Sequence, residues 1–244
     1  MKKTVLMMVS VIIALTSCSI NVNGLNKIKP SDNIVKKEYK LNKFNEVTSR
    51  VVGNIILVQS EEKDGLVELS APENYIELFS IKSKGEKLDI SYEKNNLNLE
   101  GKNINITVYT SDLLKIKNSG VASITLNGLD TDELEVENSG VGTMKLKKVQ
   151  ADMISVKCSG VGDISIDGET QEATLSCTGV GSINAQDMKA NKAKASVTGV
   201  GGITCYASEY INGKVTGIGS LKYDGHPKKK DLNRPGFTGS ISEI

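Results

Sequence analysis

Tryptophan is absent from the chain, phenylalanine occurs three times and histidine once. The shortage of aromatic rings removes the platforms on which carbohydrate readers usually stack sugars, so no glycan site is visible in the residues. The one histidine, His226, stands beside Pro227 in a polar stretch, which leaves a histidine-based triad or a zinc site without partners. Arginine is nearly missing as well, with Arg50 and Arg234 alone, so bidentate anion recognition is poorly supplied. The formal net charge is only +1, and the absence of a basic excess argues against nucleic acid as a partner. After residue 15 no run is apolar enough to cross a bilayer.

What is present begins with Lys2 and Lys3, the apolar stretch Val5 to Leu15, and Leu15-Thr16-Ser17-Cys18. This pattern predicts a lipoprotein signal peptide over residues 1–17, with lipidation of the Cys18 thiol and a membrane lipid anchor. The expected location is the outer membrane. Residues 19–23, Ser-Ile-Asn-Val-Asn, carry no acidic group, and periplasmic and surface-facing placements both stay open. Residues 18–36 are polar and Asn-rich, the composition of a flexible tether.

One motif then recurs through the second half. Ser119-Gly120-Val121, Ser139-Gly140-Val141, Ser159-Gly160-Val161, Thr178-Gly179-Val180, Thr198-Gly199-Val200, Thr216-Gly217-Ile218 and a degenerate Thr238-Gly239 place their glycines at steps of 18 to 22 residues. Around each copy, apolar and polar residues alternate with the period of a strand. Like residues recur at fixed offsets from the glycine. Four before it stand Ile116, Val136, Val156, Leu175 and Ala195; two before it, Asn118, Asn138, Cys158, Cys177, Val197 and Val215. Four after it stand Ile124, Met144, Ile164, Ile183, Ile203 and Leu221, and six after it Leu126, Leu146, Ile166, Ala185, Cys205 and Tyr223. The Val/Ile column one residue after the glycine is expected to face inward with them.

Such columns predict an all-β chain wound as a single-stranded parallel β-helix of about 20 residues per coil, each coil about 4.8 Å above the last. The seven glycines 120, 140, 160, 179, 199, 217 and 239 are expected as structural turns, each taking the positive φ of a sharp corner. The hydroxyl before each glycine suits a Ser/Thr turn, with an array offered to ice or a glycan as the sharper alternative. Outward positions alternate in sign, with Lys115 over Glu135 and Lys117 over Glu137. Cys158 and Cys177 share an inward column on neighbouring coils, and both a disulfide and a pair of buried thiols are open. Residues 37–112 are read as irregular first coils and a cap, residues 113–244 as repeat coils, and His226 to Pro235 as a polar loop blunting the far edge.

Chemistry is hard to find. Asp130, Asp132, Asp152, Asp163, Asp167 and Asp187 fall at different offsets from their glycines and are not expected to converge, with Asp163 and Asp167 the nearest to a pair. No cofactor or metal is expected, and no catalytic residue.

The repeated Ser/Thr-Gly-Val-Gly, the stretch Tyr223-Asp224-Gly225-His226-Pro227 followed by a last Thr-Gly, and the early segments Phe44 to Val47 and Val52 to Gln59 together resemble the head GIN domain family of auto-transporter adhesins. The resemblance runs from about Lys37 to Ile244. It implies a right-handed β-helix shaped like pectin lyases without their catalytic residues, a role in attachment, and a trimer. Val121 and its equivalents stand where that family often has a second serine. The expected function is therefore a non-catalytic cell-envelope adhesin or scaffold that meets a glycan or protein ligand. A carbohydrate-active β-helix protein is the alternative.

Overall fold

The computed structural model describes residues 27–95, 97–235 and 238–244. The signal peptide and Cys18 lie outside them. The repeats form a β-solenoid whose strands pair parallel and in register. Ile55, Ile124, Met144, Ile164, Ile183, Ile203, Leu221 and Ile241 are consecutive partners along one column. Val47, Ile116, Val136, Val156, Leu175, Ala195 and Gly213 run along another. Nearly all of these side chains are sealed from solvent inside the coil, so each apolar residue removes its neighbours above and below from water as well as itself. The strands Val121–Asn138, Met144–Cys158 and Ile164–Cys177 each carry the chain round most of a coil.

Strand parity holds straight through the glycine corner. Residues two, four and six positions from the first glycine point inward on both sides of it, as Asn118, Ile116, Ile124 and Leu126 do. The residue one after the glycine therefore points out. Val121, Val141, Val161, Val180, Val200 and Ile218 are 47 to 69% exposed, against the expectation that they line the core. The inward position at this corner belongs to the second glycine of the motif or to Ala122.

The glycines are also needed for a different reason than expected. None of Gly120, Gly140, Gly160, Gly179, Gly199, Gly217 and Gly239 has φ in the left-handed range; that conformation falls on the second glycine in two copies only, with φ of 138° at Gly142 and 125° at Gly162. What the first glycine provides is room. A Cβ on Gly160 would lie 2.0 Å from the carbonyl oxygen of Gly140 in the coil below, and one on Gly140 would lie 2.1 Å from that of Gly120. Backbone thus rests directly on backbone, coil after coil.

The 19-residue step between Gly160 and Gly179 has a local cause. The pairing of Met144–Cys158 with Ile164–Cys177 shifts between Leu146 and Val149, where the upper coil is one residue shorter. Lys148 takes up the slack at φ 53°, and its N–H donates to Asp167 Oδ1 at 2.8 Å.

Residues 37–112 supply the first coils, but not as parallel strands throughout. Glu46–Ser49 and Val52–Gln59 stack parallel beneath the repeats, followed by Lys87–Tyr92 and Asn105–Thr110. The cap itself is antiparallel: Phe79–Lys84 forms a hairpin with Lys87–Tyr92, and Leu66–Pro72 lies antiparallel to both Asn105–Thr110 and Ile34–Lys40. Reversing strand direction ends the array without leaving a further parallel edge to extend. The cap also contains the 3-10 helix Glu73–Leu78. Part of the expected tether is structured too. Ile34–Lys40 is a paired strand, Lys27–Ile28 pairs with Asn98–Leu99, and Tyr75 Oη donates to the Ile28 carbonyl at 2.6 Å. At the far end the polar stretch after His226 contains a rung, Lys229–Asn233, paired parallel with Tyr210–Val215. All five of its residues are exposed, and its lysines and Pro235 deter further pairing.

The corner contact gives a direct test. Gly160→Ala is expected to cost several kcal/mol, about 3 or more, because a rigid carbonyl must move. Gly85→Ala, where a Cβ meets nothing within 4 Å although φ is 60°, should cost only about 1 kcal/mol. Thermal unfolding of the two variants checks this; equal losses would show that corner stacking is not the constraint.

Candidate functional site

The outward-facing columns differ sharply from one another. At the glycine corner the hydroxyls of Ser119, Ser139, Ser159, Thr178, Thr198 and Thr216 are exposed in a line. The first two lie 3.1 Å apart, and Ser139 Oγ also donates to the Asn118 carbonyl at 3.1 Å. Beneath them the inward column is polar at one end. Asn118 Nδ2 donates to Asn138 Oδ1 at 3.0 Å, and Asn138 Nδ2 donates to the Gly142 carbonyl at 3.2 Å. Cys158 and Cys177 take over the same task one coil at a time, their Sγ atoms 3.4 and 3.3 Å from the carbonyls of Gly162 and Gly181. A buried donor is thus matched to the carbonyl of the second glycine in each of these coils.

Cys158, Cys177 and Cys205 are buried free thiols. The neighbouring Cys177 sulfur, and then burial, hold the Cys158 proton well above the usual thiol range. Burial alone pushes Cys205 up to about 12. Thiolates being the reactive form, neither Cys158 nor Cys205 is poised as a nucleophile, and Cys177, lowered to about 7 by its contact with Cys158, is sealed from solvent.

The aspartates do not behave as their offsets suggest. Asp163 and Asp167 form no pair. Asp163 Oδ1 accepts from the Ser182 backbone N–H at 3.0 Å and from its hydroxyl at 2.5 Å, while Asp167 braces Lys148. Asp130, Asp132 and Asp152, however, line one shallow groove of about 420 Å³, and Asp167 and Asp187 line the next. Offsets of seven to twelve residues from the glycine all land on the same side of the coil, a grouping that single positions do not reveal. Asp130, Gln150, Glu169 and Lys189 are register partners across four coils, and Gln171 and Asn191 run beside them, joined by a 2.5 Å hydrogen bond. Among the described residues no three His, Cys, Asp or Glu side chains come close enough together to hold a metal ion.

His226 belongs to a terminal ion cluster. Its Nδ1 lies 3.0 Å from Glu243 Oε1, and Lys230 Nζ reaches Glu243 Oε2 at 2.6 Å. Lys230 first and His226 second hold the Glu243 carboxyl below its ordinary value. The cluster closes the last rung and faces open solvent. The charge alternation expected on the outward columns is present, with Lys115 Nζ 2.7 Å from Glu135 and Lys117 Nζ 2.9 Å from Glu137. Such exposed pairs set register more than they add stability.

Solved structures share this architecture. An adhesin, described as putative, from Bacteroides fragilis is 36% identical over 89% of this chain and all of its own, with a TM-score of 0.85. Two Parabacteroides distasonis proteins have the same fold: one named as an adhesin (21% identity, TM-score 0.71) and one as a lipid binding protein (22%, TM-score 0.70). Each covers 90% of this chain and all of its own. No curated protein matches the sequence. The family model described as "Putative auto-transporter adhesin, head GIN domain" matches residues 43–227. The chain belongs to the head GIN domain family of auto-transporter adhesins.

Proposed function

We propose that this chain is a non-catalytic, lipid-anchored protein of the outer membrane that binds an extended polar ligand along the side of its solenoid. The observation that carries the reading is the polar face running over four coils, from Asp130 through Gln150 and Glu169 to Lys189, with Asp132, Asp152, Gln171 and Asn191 alongside. Carboxylates, amides and an ammonium repeated every ~4.8 Å offer both acceptors and donors to a polyhydroxylated chain such as a glycan. Each contact is weak in water, and affinity accumulates along the face. The groove is shallow and open, which suits a chain passing across it better than a small molecule enclosed for reaction. The acidic groups here lack the preorganised acid and base partners that turnover requires, and Asp163 and Asp167 are committed to backbone bracing. Membership of an adhesin-head family supports a place in the cell envelope.

Lipid attachment at Cys18 rests on Leu15-Thr16-Ser17-Cys18 and the basic-apolar stretch before it. Residues 18–26 would then connect the lipid to the paired segment that starts at Lys27. Labelled palmitate should appear on the protein in growing cells and vanish in Cys18→Ala; a label unaffected by that substitution would remove the anchor.

For the ligand, a glycan-binding screen with the full chain is expected to give saturable binding without turnover. Asp152→Ala together with Gln171→Ala should weaken it roughly tenfold or more, the scale of one or two lost hydrogen bonds. Polysaccharide cleavage abolished by a single carboxylate substitution would overturn the non-catalytic reading.

A further inference from the structure

The exposed apolar column at the glycine corner is unexplained by the binding face. Eleven large apolar side chains are exposed among the described residues, and six of them stand in this one line: Val121, Val141, Val161, Val180, Val200 and Ile218. Single exposed apolar residues are ordinary, but a contiguous row is not. The valines are ladder partners, bridged Val121 to Val141, Val141 to Val161 and Val161 to Val180, and paired Val180 to Val200. The row therefore forms a straight ridge about 24 Å long at the coil spacing. Strand parity turns it outward on every coil, so it contributes nothing to the core.

Its surroundings are depleted of charge. The column on one side is Ser or Thr in all six coils, and the column on the other holds Ser123, Thr143, Asp163, Ser182, Gly202 and Ser220. Asp163 is the one charge in those twelve positions, and its Oδ1 is engaged by Ser182. Elsewhere outward columns carry Lys115, Lys117, Glu135 and Glu137. An apolar row with uncharged hydroxyl flanks has the composition of an interface core. It lacks the aromatic and basic residues with which a surface holds lipid headgroups.

Shape and size identify the occupant. Between the valine ridge and the hydroxyl column runs a strip of partly exposed glycine backbone, because the Cβ positions of these glycines are directed onto the coil below rather than outward. Ridge and strip lie side by side with one repeat spacing. Across a two-fold axis the ridge of each copy seats on the glycine strip of the other, as a self-complementary contact requires. Roughly half of each ridge residue is exposed, on the order of 80 Å² apiece and about 500 Å² in all, the size of the largest apolar patch on a typical monomer. Two such corners with their hydroxyl flanks reach the ~1,000 Å² that a specific interface needs.

We propose that the Val121–Ile218 ridge seats a second copy of this chain, the two solenoids packed corner to corner about a two-fold axis. The arrangement leaves both polar faces free, because Asp130 and its column partners lie on other outward positions. It stands apart from the glycan reading, and it replaces the trimer implied by the family resemblance with a pair, since two corners suffice to cover the ridge.

Sedimentation equilibrium of the full chain in density-matched detergent tests it. The unaltered protein is expected at the mass of two chains, and the double variant Val161→Lys, Val180→Lys at the mass of one. Both positions are half exposed, so the variant should keep its circular dichroism and melting temperature, separating lost assembly from lost folding. An unaltered protein at the mass of one chain, or of any number other than two, overturns the proposal, as does a double variant that still sediments as two. A monomer that binds glycans would overturn the ridge alone.

Discussion

Direct contact of backbone on backbone at the glycine corner is the constraint on which this structure rests. A Cβ at Gly140, Gly160 or Gly179 would stand 2.0 to 2.1 Å from the glycine carbonyl one coil below. Removing that atom lets the coils close to strand spacing at the corner as well as along the flat sides. The corner amides then join the ladder: Val141, Val161 and Val180 donate to the carbonyls of Gly120, Gly140 and Gly160 at 2.9 to 3.1 Å. With every coil locked at one height, each side chain lies over the equivalent one beneath, and columns must be compatible with themselves. The buried Asn118 and Asn138 satisfy this by bonding one another, and Lys115 and Glu135 by opposite charge.

Much of this is legible because a solenoid writes its coil length into the sequence. The spacing of the Ser/Thr-Gly pairs sets the coil, and the recurring residues at even offsets from the glycine mark the core. The Val/Ile column departs from expectation because parity outranks hydrophobicity: one residue past the corner is an odd offset, and within about six residues of the corner odd offsets face outward whatever side chain they carry. The role of the glycines is ambiguous in sequence because close approach and positive φ both demand glycine, and only coordinates separate them. At Gly140 and Gly160 the first glycine answers close approach alone, while Gly142 and Gly162 answer both demands, with positive φ and a Cβ that would lie 1.9 and 2.0 Å from the carbonyl one coil below.

Other parts leave weaker traces. Lys27–Ile28 and Ile34–Lys40 look like linker in composition, since an edge strand on a cap needs few buried residues. Along the second of these strands Ile34, Lys36, Glu38 and Lys40 are exposed, while Val35 and Tyr39 are only half-buried, so its alternation carries little apolar contrast. The antiparallel cap shows in sequence only as the turn around Gly85, which marks a hairpin but not which neighbours its strands choose. The acidic groove is hidden because residues a few positions apart on a coil still share a side, and position-by-position columns are too fine a sieve for a surface.

The same stacking gives the outward columns separate characters: a polar strip over four coils, an apolar ridge with hydroxyl flanks, and braced aspartates between them. All depend on the corners being part of the ladder rather than loops between strands. Amide hydrogen exchange measured residue by residue tests that most directly. The account predicts that the amides of Val141, Val161 and Val180 exchange as slowly as those of Val136 and Val156 within the strands, opening only with the whole array. Exchange at the three corner amides as fast as in exposed loops, with the strands still protected, would contradict it.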